Sequence, residues 1–260
     1  MLESALRYLG VYKVYEGRLK AQVESEEIPS HIGIILDGNR RWAQNQGFQS
    51  GLGHEEGANR AEELLDWCNE LGIKTVTLYV LSTENLERSP QELLELFKLI
   101  EARLAKLLSD ERIVKHNVNV RAIGHLDLLP DSIIGTLEAI EKKTADYHNH
   151  YLNIAVAYGG RAEITDVVKS VAQDVKSGKL NPDSITEETV SKRLYTSYLP
   201  NQEPDLIIRT SGEERMSGFL LWQGAYSELV FVDVFWPAFR LIDLLRAIRT
   251  YQKRRRRHGR

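Results

Sequence analysis

Cysteine is nearly absent from this chain. The one at position 68 cannot form an internal disulfide, and no Cys/His spacing typical of a metal site surrounds it. A reducing cytoplasm is therefore the expected setting. No apolar run approaches the ~20 residues needed to cross a bilayer. The stretch Met1–Lys20 carries charges throughout and lacks the apolar segment of a secretory signal. The expectation is a soluble protein or one peripheral to a membrane. The net charge is only −3, so no global electrostatic argument favours a nucleic-acid partner. Internal repeats, interdomain linkers and low-complexity tracts are missing, apart from the basic end KRRRRHGR. Neither a Walker loop nor GxGxxG follows the first apolar run, which ranks a nucleotide-binding enzyme low.

What the chain has is enough apolar material for a core: 42% of its 260 residues are hydrophobic and 27% charged. Short β-branched runs predict buried strands at His31–Leu36, Thr75–Leu81, Val118–Ile123, Leu152–Ala157, Leu206–Ile208 and Leu229–Val232. Helices are predicted at Glu55–Leu71, Pro90–Leu108, Ser132–His148 and Arg161–Lys176, a short one after the turn residues Asn181–Glu188, and a closing one at Arg240–Arg257. Alternation of this kind predicts a single α/β domain with a central, mainly parallel sheet flanked by helices. In such sheets ligands sit beyond the carboxyl ends of the strands, so the residues after each strand are the place to look for chemistry.

After the first strand stands Asp37-Gly38-Asn39-Arg40-Arg41-Trp42. Glycine permits a tight turn, and the arginines carry forked donors matched to phosphate oxygens. A carboxylate there suits Mg²⁺ bridged to a diphosphate, while a plain surface turn with an Asp–Arg pair reads equally well. After the second strand, Ser82-Thr83-Glu84-Asn85 and Arg88 suit either a second phosphate group or the cap of the next helix, with Pro90 in its first turn. After the fifth strand, Arg209-Thr210-Ser211-Gly212-Glu213-Glu214-Arg215-Met216-Ser217 reads as an anion cradle. The apolar Phe219–Gln223 that follows is expected inside, anchoring the loop. Independent surface ion pairs contribute only about 0–1 kcal/mol each, so their concentration on one edge is better explained by a polyanion.

These segments resemble the cis-prenyltransferase (undecaprenyl diphosphate synthase) family. HIGIILDGNRRWA, GHEEG from His54, LYVLSTEN with Arg88, AYGGR, and the run from RTSGE through FLLWQ to the WPAF segment recur in the family's order. The resemblance covers His31 to the C-terminus, and the NRRW and AYGGR forms look archaeal or eukaryotic. It implies an apolar tunnel beside the sheet, and a helical extension at residues 1–30 ahead of a catalytic domain at residues 31–260. The implied reaction condenses isopentenyl diphosphate with an allylic prenyl diphosphate to a Z-configured polyprenyl diphosphate, with Mg²⁺ as cofactor, in a homodimer. Asp37 would bind the metal, with Glu228 a further metal-associated carboxylate. Gly38, Asn39, Arg40, Arg41, Trp42 and His54 would hold the allylic diphosphate. Arg209, Arg215, Met216 and Ser217, with Arg257 and Gly259 reaching the neighbouring active site, would hold isopentenyl diphosphate. Ser82, Thr83, Glu84, Leu86 and Arg88 would line the junction of the two substrates, with Asn85 orienting the group that takes the proton.

Three positions depart from the family pattern. Ser50 and Leu86 stand where arginine and tryptophan are usual, and Glu214 where bacterial members carry histidine. These departures bear on the length of the allylic substrate, and they motivate a short-chain or irregular condensation as an alternative. A non-catalytic dimer partner is a further one, disfavoured because Asp37, Asn39, Arg41, Arg209 and Arg215 are all present. The tunnel is expected along Leu93, Leu94, Phe97, Ile100, Leu104 and Leu108 and beside Val80. The basic tail suits the adjacent site, an anionic membrane surface or solvent.

Overall fold

The computed structural model describes residues 2–258, and the surroundings of side chains from residue 12 to residue 255. Among these, six strands form one sheet in the order β3-β4-β2-β1-β5-β6. They are β1 (His31–Ile35), β2 (Thr75–Tyr79), β3 (Val118–Ile123), β4 (His150–Ala155), β5 (Leu206–Arg209) and β6 (Glu228–Phe231). Every pairing is parallel. Each strand falls within two residues of its predicted run. The cause is visible in β1 and β2, where all residues are buried: a central parallel strand is covered on both faces, so its whole length must be apolar or internally satisfied.

The helices are α1 (Leu2–Glu24), α2 (Asn39–Asn45), α3 (Ser50–Glu70), α4 (Pro90–Ser109), α5 (Glu111–Lys115), α6 (Asp131–Thr144), α7 (Gly160–Lys176), α8 (Glu187–Ser191) and α9 (Leu241–His258). Ser89 caps α4 by accepting from the Glu92 N–H, and Pro90 occupies the first turn. The apolar face of α4 departs in part from the predicted one. Leu96, Ile100 and Leu104 are buried, whereas Leu94 is 54% exposed. Ile100 and Leu104 lie on the predicted stripe, but with leucine on most sides of this helix periodicity does not fix its first half, and packing against α3 and α6 buries Leu96 there in place of Leu94. Two short helices escape the periodicity reading altogether. α2 starts on Gly38, whose φ of 106° serves as a left-handed N-cap, and α5 has only five residues.

One buried polar chain crosses the sheet. His31 is fully buried. Its Nδ1 lies 3.2 Å from the Asn201 carbonyl, which can only accept, so Nδ1 carries the proton and Nε2 accepts from the Thr77 hydroxyl at 2.8 Å. Thr77 in turn accepts from Asn153 at 2.7 Å, and Asn153 accepts from the Tyr198 hydroxyl. Burial holds His31 neutral, with its pKa lowered to about 4 from 6.5. Between these values the unfolded chain takes up a proton that the fold refuses, so stability is lost as pH falls from about 6.5 towards 4. The expected loss is about 2 kcal/mol for this residue. Urea unfolding at pH 7 and pH 4.5 measures it, and His31→Gln should flatten the difference.

Candidate active site

The tips of β1 and β5 are adjacent in register, Ile35 opposite Arg209. Asp37 therefore emerges beside the loop that follows β5. Thr210 clips the two ends: its hydroxyl accepts the Asp37 N–H at 3.0 Å and donates to the Asp37 carbonyl at 2.7 Å. The Trp236 N–H donates to the same carbonyl at 3.0 Å. The Asp37 backbone is thus held from two other segments before its side chain does anything.

The carboxylate sits between two guanidinium groups, but not the two adjacent in sequence. Oδ1 accepts from Arg41 at 3.0 Å and Oδ2 from Arg209 at 2.7 Å. Arg40 turns away to Glu92 at 3.5 Å, because the turn of α2 puts residues 40 and 41 on different sides. Burial alone would raise the Asp37 pKa, yet hydrogen bonds and charge from Arg209, with Ser211 and Arg41, outweigh it and hold the carboxyl below its ordinary value.

Arg209 is almost entirely buried and divides its fork between the Arg215 carbonyl at 2.6 Å, the Ser217 hydroxyl at 2.7 Å and Asp37. Arg41 bonds Ser211 at 2.8 Å and Glu213 at 3.0 Å, and Glu213 also pairs with Arg215 at 2.5 Å. The loop that carries these groups is shaped by left-handed backbone at Ser211 (φ 79°), Gly212 (φ 72°) and Ser217 (φ 47°). Non-glycine residues in that region are strained and concentrate at functional sites. The loop is anchored as expected by Phe219 and Leu220, both wholly buried, and by Gln223, which donates to the buried Glu163 at 3.0 Å. Leu221 and Trp222 depart from that expectation. Leu221 is 37% exposed, because the chain reverses through Leu220 at φ 44°. Trp222 is half-buried along an apolar groove with Val168 and Ile185. Met216 packs against the smaller apolar cluster around Phe219 rather than presenting a polar surface.

GHEEG works by close approach. A Cβ at Gly53 would lie 2.2 Å from the Asn39 carbonyl oxygen, and one at Gly57 2.1 Å from Asn39 Oδ1. Only glycine lets α3 press this tightly on α2. The packing brings His54 beside Asn39, and Asn39 Oδ1, His54 Nε2 and Arg209 Nε are all buried without a hydrogen-bond partner. Burial, then the charge of Arg88, lowers the His54 pKa to about 4, so the ring is neutral. Trp42 is tilted against Phe48, ring centroids 6.4 Å apart, and is not seen in contact with this group.

Ser82 and Asn85 form a reciprocal cap on the 3-10 turn Thr83–Glu87: the Asn85 N–H donates to Ser82 Oγ at 3.2 Å and the Ser82 N–H to Asn85 Oδ1 at 3.3 Å. The cap expected here for the helix that begins at Pro90 is supplied by Ser89 instead, and Ser82 with Asn85 caps only this short turn. Thr83 donates to Glu84 at 3.3 Å, Leu86 packs on the main core, and Arg88 reaches Glu92 at 3.0 Å. Ser50 opens α3, one turn before His54.

Glu228 is not brought to Asp37. It opens β6 opposite Leu206, at the amino end of the sheet, and its side chain meets Arg254 at 3.1 Å. The parallel register accounts for this, since Glu228 lies a whole strand below the tip that carries the site. The Arg257 side chain and Gly259 lie outside the described residues.

An apolar cavity of about 260 Å³ opens at Leu36, Asn39 and His54. It follows one face of β2 through Val80, Leu78 and Val76 to Lys74, alternate residues of a strand and its flanks, or roughly 20 Å at strand rise. Ile100 and Leu104 of α4 face it, and Ala58, Ala61 and Cys68 of α3, small side chains, leave its bore open. No helix among the described residues is long and apolar enough to cross a membrane.

An arginine-rich site at the strand tips, beside an apolar cavity lined by Asn39 and His54, agrees with what the chain is similar to. The family profile of undecaprenyl diphosphate synthases, within the prenyltransferases, matches residues 35–259. The chain belongs to this family. A tritrans,polycis-undecaprenyl-diphosphate synthase (geranylgeranyl-diphosphate specific) of Methanopyrus kandleri is 54% identical over 250 residues, covering 96% of this chain and 92% of that protein. One of the same description from Thermoplasma acidophilum is 50% identical over 248 residues, with 95% of each chain covered. Among solved structures, lavandulyl diphosphate synthase from Lavandula x intermedia, in complex with dimethylallyl diphosphate, superposes with a TM-score of 0.83 at 33% identity, covering 86% of this chain and 95% of that one. The protein is accordingly a prenyltransferase of the Z-polyprenyl diphosphate synthase type, condensing isopentenyl diphosphate with an allylic prenyl diphosphate. The archaeal look of NRRW and AYGGR agrees with these relatives.

Sequence reasoning missed Glu213 and Ser211 as partners of Arg41, and Glu92 as partner of Arg40 and Arg88. Spacing carries no signal for the pairs 41–213 and 40–92, which only the tertiary fold brings together.

Proposed function

We propose that this enzyme extends geranylgeranyl diphosphate with isopentenyl diphosphate into a long Z-polyprenyl diphosphate. The observation that carries the reading is an arginine-rich site at the strand tips beside an apolar cavity that Asn39 and His54 line. Diphosphate chemistry needs the first, and a growing hydrocarbon tail needs the second. The names of the archaeal relatives support geranylgeranyl diphosphate as primer.

In this reading the Gly38 backbone, Asn39, Arg40, Arg41, Trp42 and His54 receive the allylic diphosphate. Arg209, Arg215 and Ser217, on the loop steadied by Met216, receive isopentenyl diphosphate. Thr83, Glu84, Leu86 and Arg88 border the two. Among the described residues no group of three or more His, Cys, Asp or Glu side chains could hold a metal. Mg²⁺ needs no such cage, since it binds through one or two carboxylates with substrate phosphates and water completing its octahedron. The single carboxylate of Asp37 fits that requirement, and Glu228, distant from it, is not needed. Bound there, Mg²⁺ would supply charge neutralisation for the diphosphate as it departs.

Arg41 and Arg209 are held by hydrogen bonds about the place where that negative charge develops, and the buried Arg209 guanidinium needs little reorganisation to stabilise it. The oxygen of the Asn85 carboxamide is engaged by Ser82, so its NH₂ is the group offered to a substrate. An amide NH₂ donates rather than accepts. Asn85 therefore orients a phosphate oxygen or water that takes the proton, and is not itself the base. The enzyme acts as a homodimer in the cytoplasm, peripheral to the membrane that takes its product. The groove along Val168, Ile185 and Trp222 is an apolar face suited to a second copy.

Labelled isopentenyl diphosphate, Mg²⁺ and each allylic primer from dimethylallyl to geranylgeranyl diphosphate test the reading. Products should be long, Z-configured and formed fastest from geranylgeranyl diphosphate. A branched irregular product, or no incorporation with any primer, would overturn it.

A further inference from the structure

Two arginines near His54, a residue that lines the apolar cavity, are already occupied by an acid that the chemistry above does not use. Glu92, in the first turn of α4, accepts through one oxygen from Arg88 at 3.0 Å and from Arg40 at 3.5 Å. The arginines come from different segments, the loop after β2 and helix α2. Their convergence on a single carboxylate oxygen is the contact that a phosphoryl oxygen would make. The Glu92 side chain is only 25% exposed, so it is held in the site rather than waving in solvent. The neutral ring of His54 belongs to the same group, feeling Arg88, Glu92 and Arg40 in turn.

We propose that Glu92 is a built-in stand-in for the diphosphate. It holds Arg40 and Arg88 together in the ligand-free enzyme and opposes the incoming anion, which must take both arginines from it. This rests on the reading that Arg40, Arg88 and His54 receive a diphosphate. Two guanidinium groups left alone at this distance repel each other, and Arg40, half exposed, would swing into solvent. A carboxylate of the chain prevents that. The same negative charge, left beside a bound diphosphate, weakens binding. Release of Glu92 also frees the first turn of α4, whose later residues Leu96 and Ile100 line the cavity, to shift when substrate arrives.

A purely structural Glu92 has the opposite signature. In the first turn of α4 a carboxylate favours the helix dipole, and its loss would lower the melting temperature without strengthening anion binding. Titration calorimetry with inorganic pyrophosphate, in EDTA at low salt on the full chain, separates the two. Glu92→Gln should tighten pyrophosphate binding about tenfold, a modest share of the interaction between unit charges at this range. Arg88→Ala should weaken it, and in the Arg88→Ala background the gain from Glu92→Gln should shrink. In steady state, Glu92→Gln should lower the KM for the allylic primer and leave that for isopentenyl diphosphate unchanged. Unchanged or weaker pyrophosphate binding by a folded Glu92→Gln, with Arg88→Ala weakened as expected, overturns the stand-in alone. Loss of any effect from Arg88→Ala overturns the diphosphate reading at this position and the proposal with it.

Discussion

Replacing Asp37 with alanine is expected to lower kcat by about 10²–10³-fold or more, the scale set by removing one preorganised electrostatic group from a reaction centre. Two causes act together. The variant loses the only carboxylate at the tip of β1 that suits a divalent ion, and it strips Arg209 of its counter-charge. Arg209 is 4% exposed, and a buried guanidinium left without its anion costs about 3 kcal/mol. Asp37→Asn keeps the shape and one acceptor oxygen, so it separates the two effects. It should stay folded by circular dichroism and still fail in turnover. Near-normal kcat in Asp37→Asn would remove the carboxylate from the chemistry.

The second large effect is expected at Arg209. Lysine preserves its charge but not its fork, and the observed geometry uses the fork in three directions: Asp37, the Ser217 hydroxyl and the Arg215 carbonyl. A single ammonium cannot hold all three in plane. Arg209→Lys should release the loop that carries Arg215 and Ser217, raising the KM for isopentenyl diphosphate more than that for the allylic primer. With two charge-assisted bonds lost, at about 1.5–3 kcal/mol each, kcat/KM should fall about 10²-fold or more. A uniform loss in kcat with both KM values unchanged would show that Arg209 acts on the metal side alone.

Much of this was legible before any coordinates. The six strands announced themselves because parallel strands are buried on both faces, as in HIGII and TVTLY. Asp37, Arg41 and Arg209 were legible from their place just after strands. The partner choices were not. Asp37 was expected beside Arg40 and Arg41, and lies between Arg41 and Arg209. Glu228 was expected with the metal, and lies at the amino end of β6 with Arg254. The segment Ser82–Asn85 reads as a phosphate site or as the cap of the helix at Pro90, whereas it caps a separate 3-10 turn and Ser89 caps that helix. The apolar face of α4 was misjudged at Leu94, since leucine-rich periodicity does not say which side meets α3 and α6.

The chain order of residues alone determined the strands, the parallel architecture and which side chains emerge at the rim, because those follow from local geometry and from which residues tolerate burial. Only the folded chain decided which rim charge neutralises which. Ion pairing depends on side chains meeting across tens or hundreds of residues, 172 between Asp37 and Arg209 and 52 between Arg40 and Glu92. Coulomb attraction has no sequence period, so its pairings exist only once packing has set the distances.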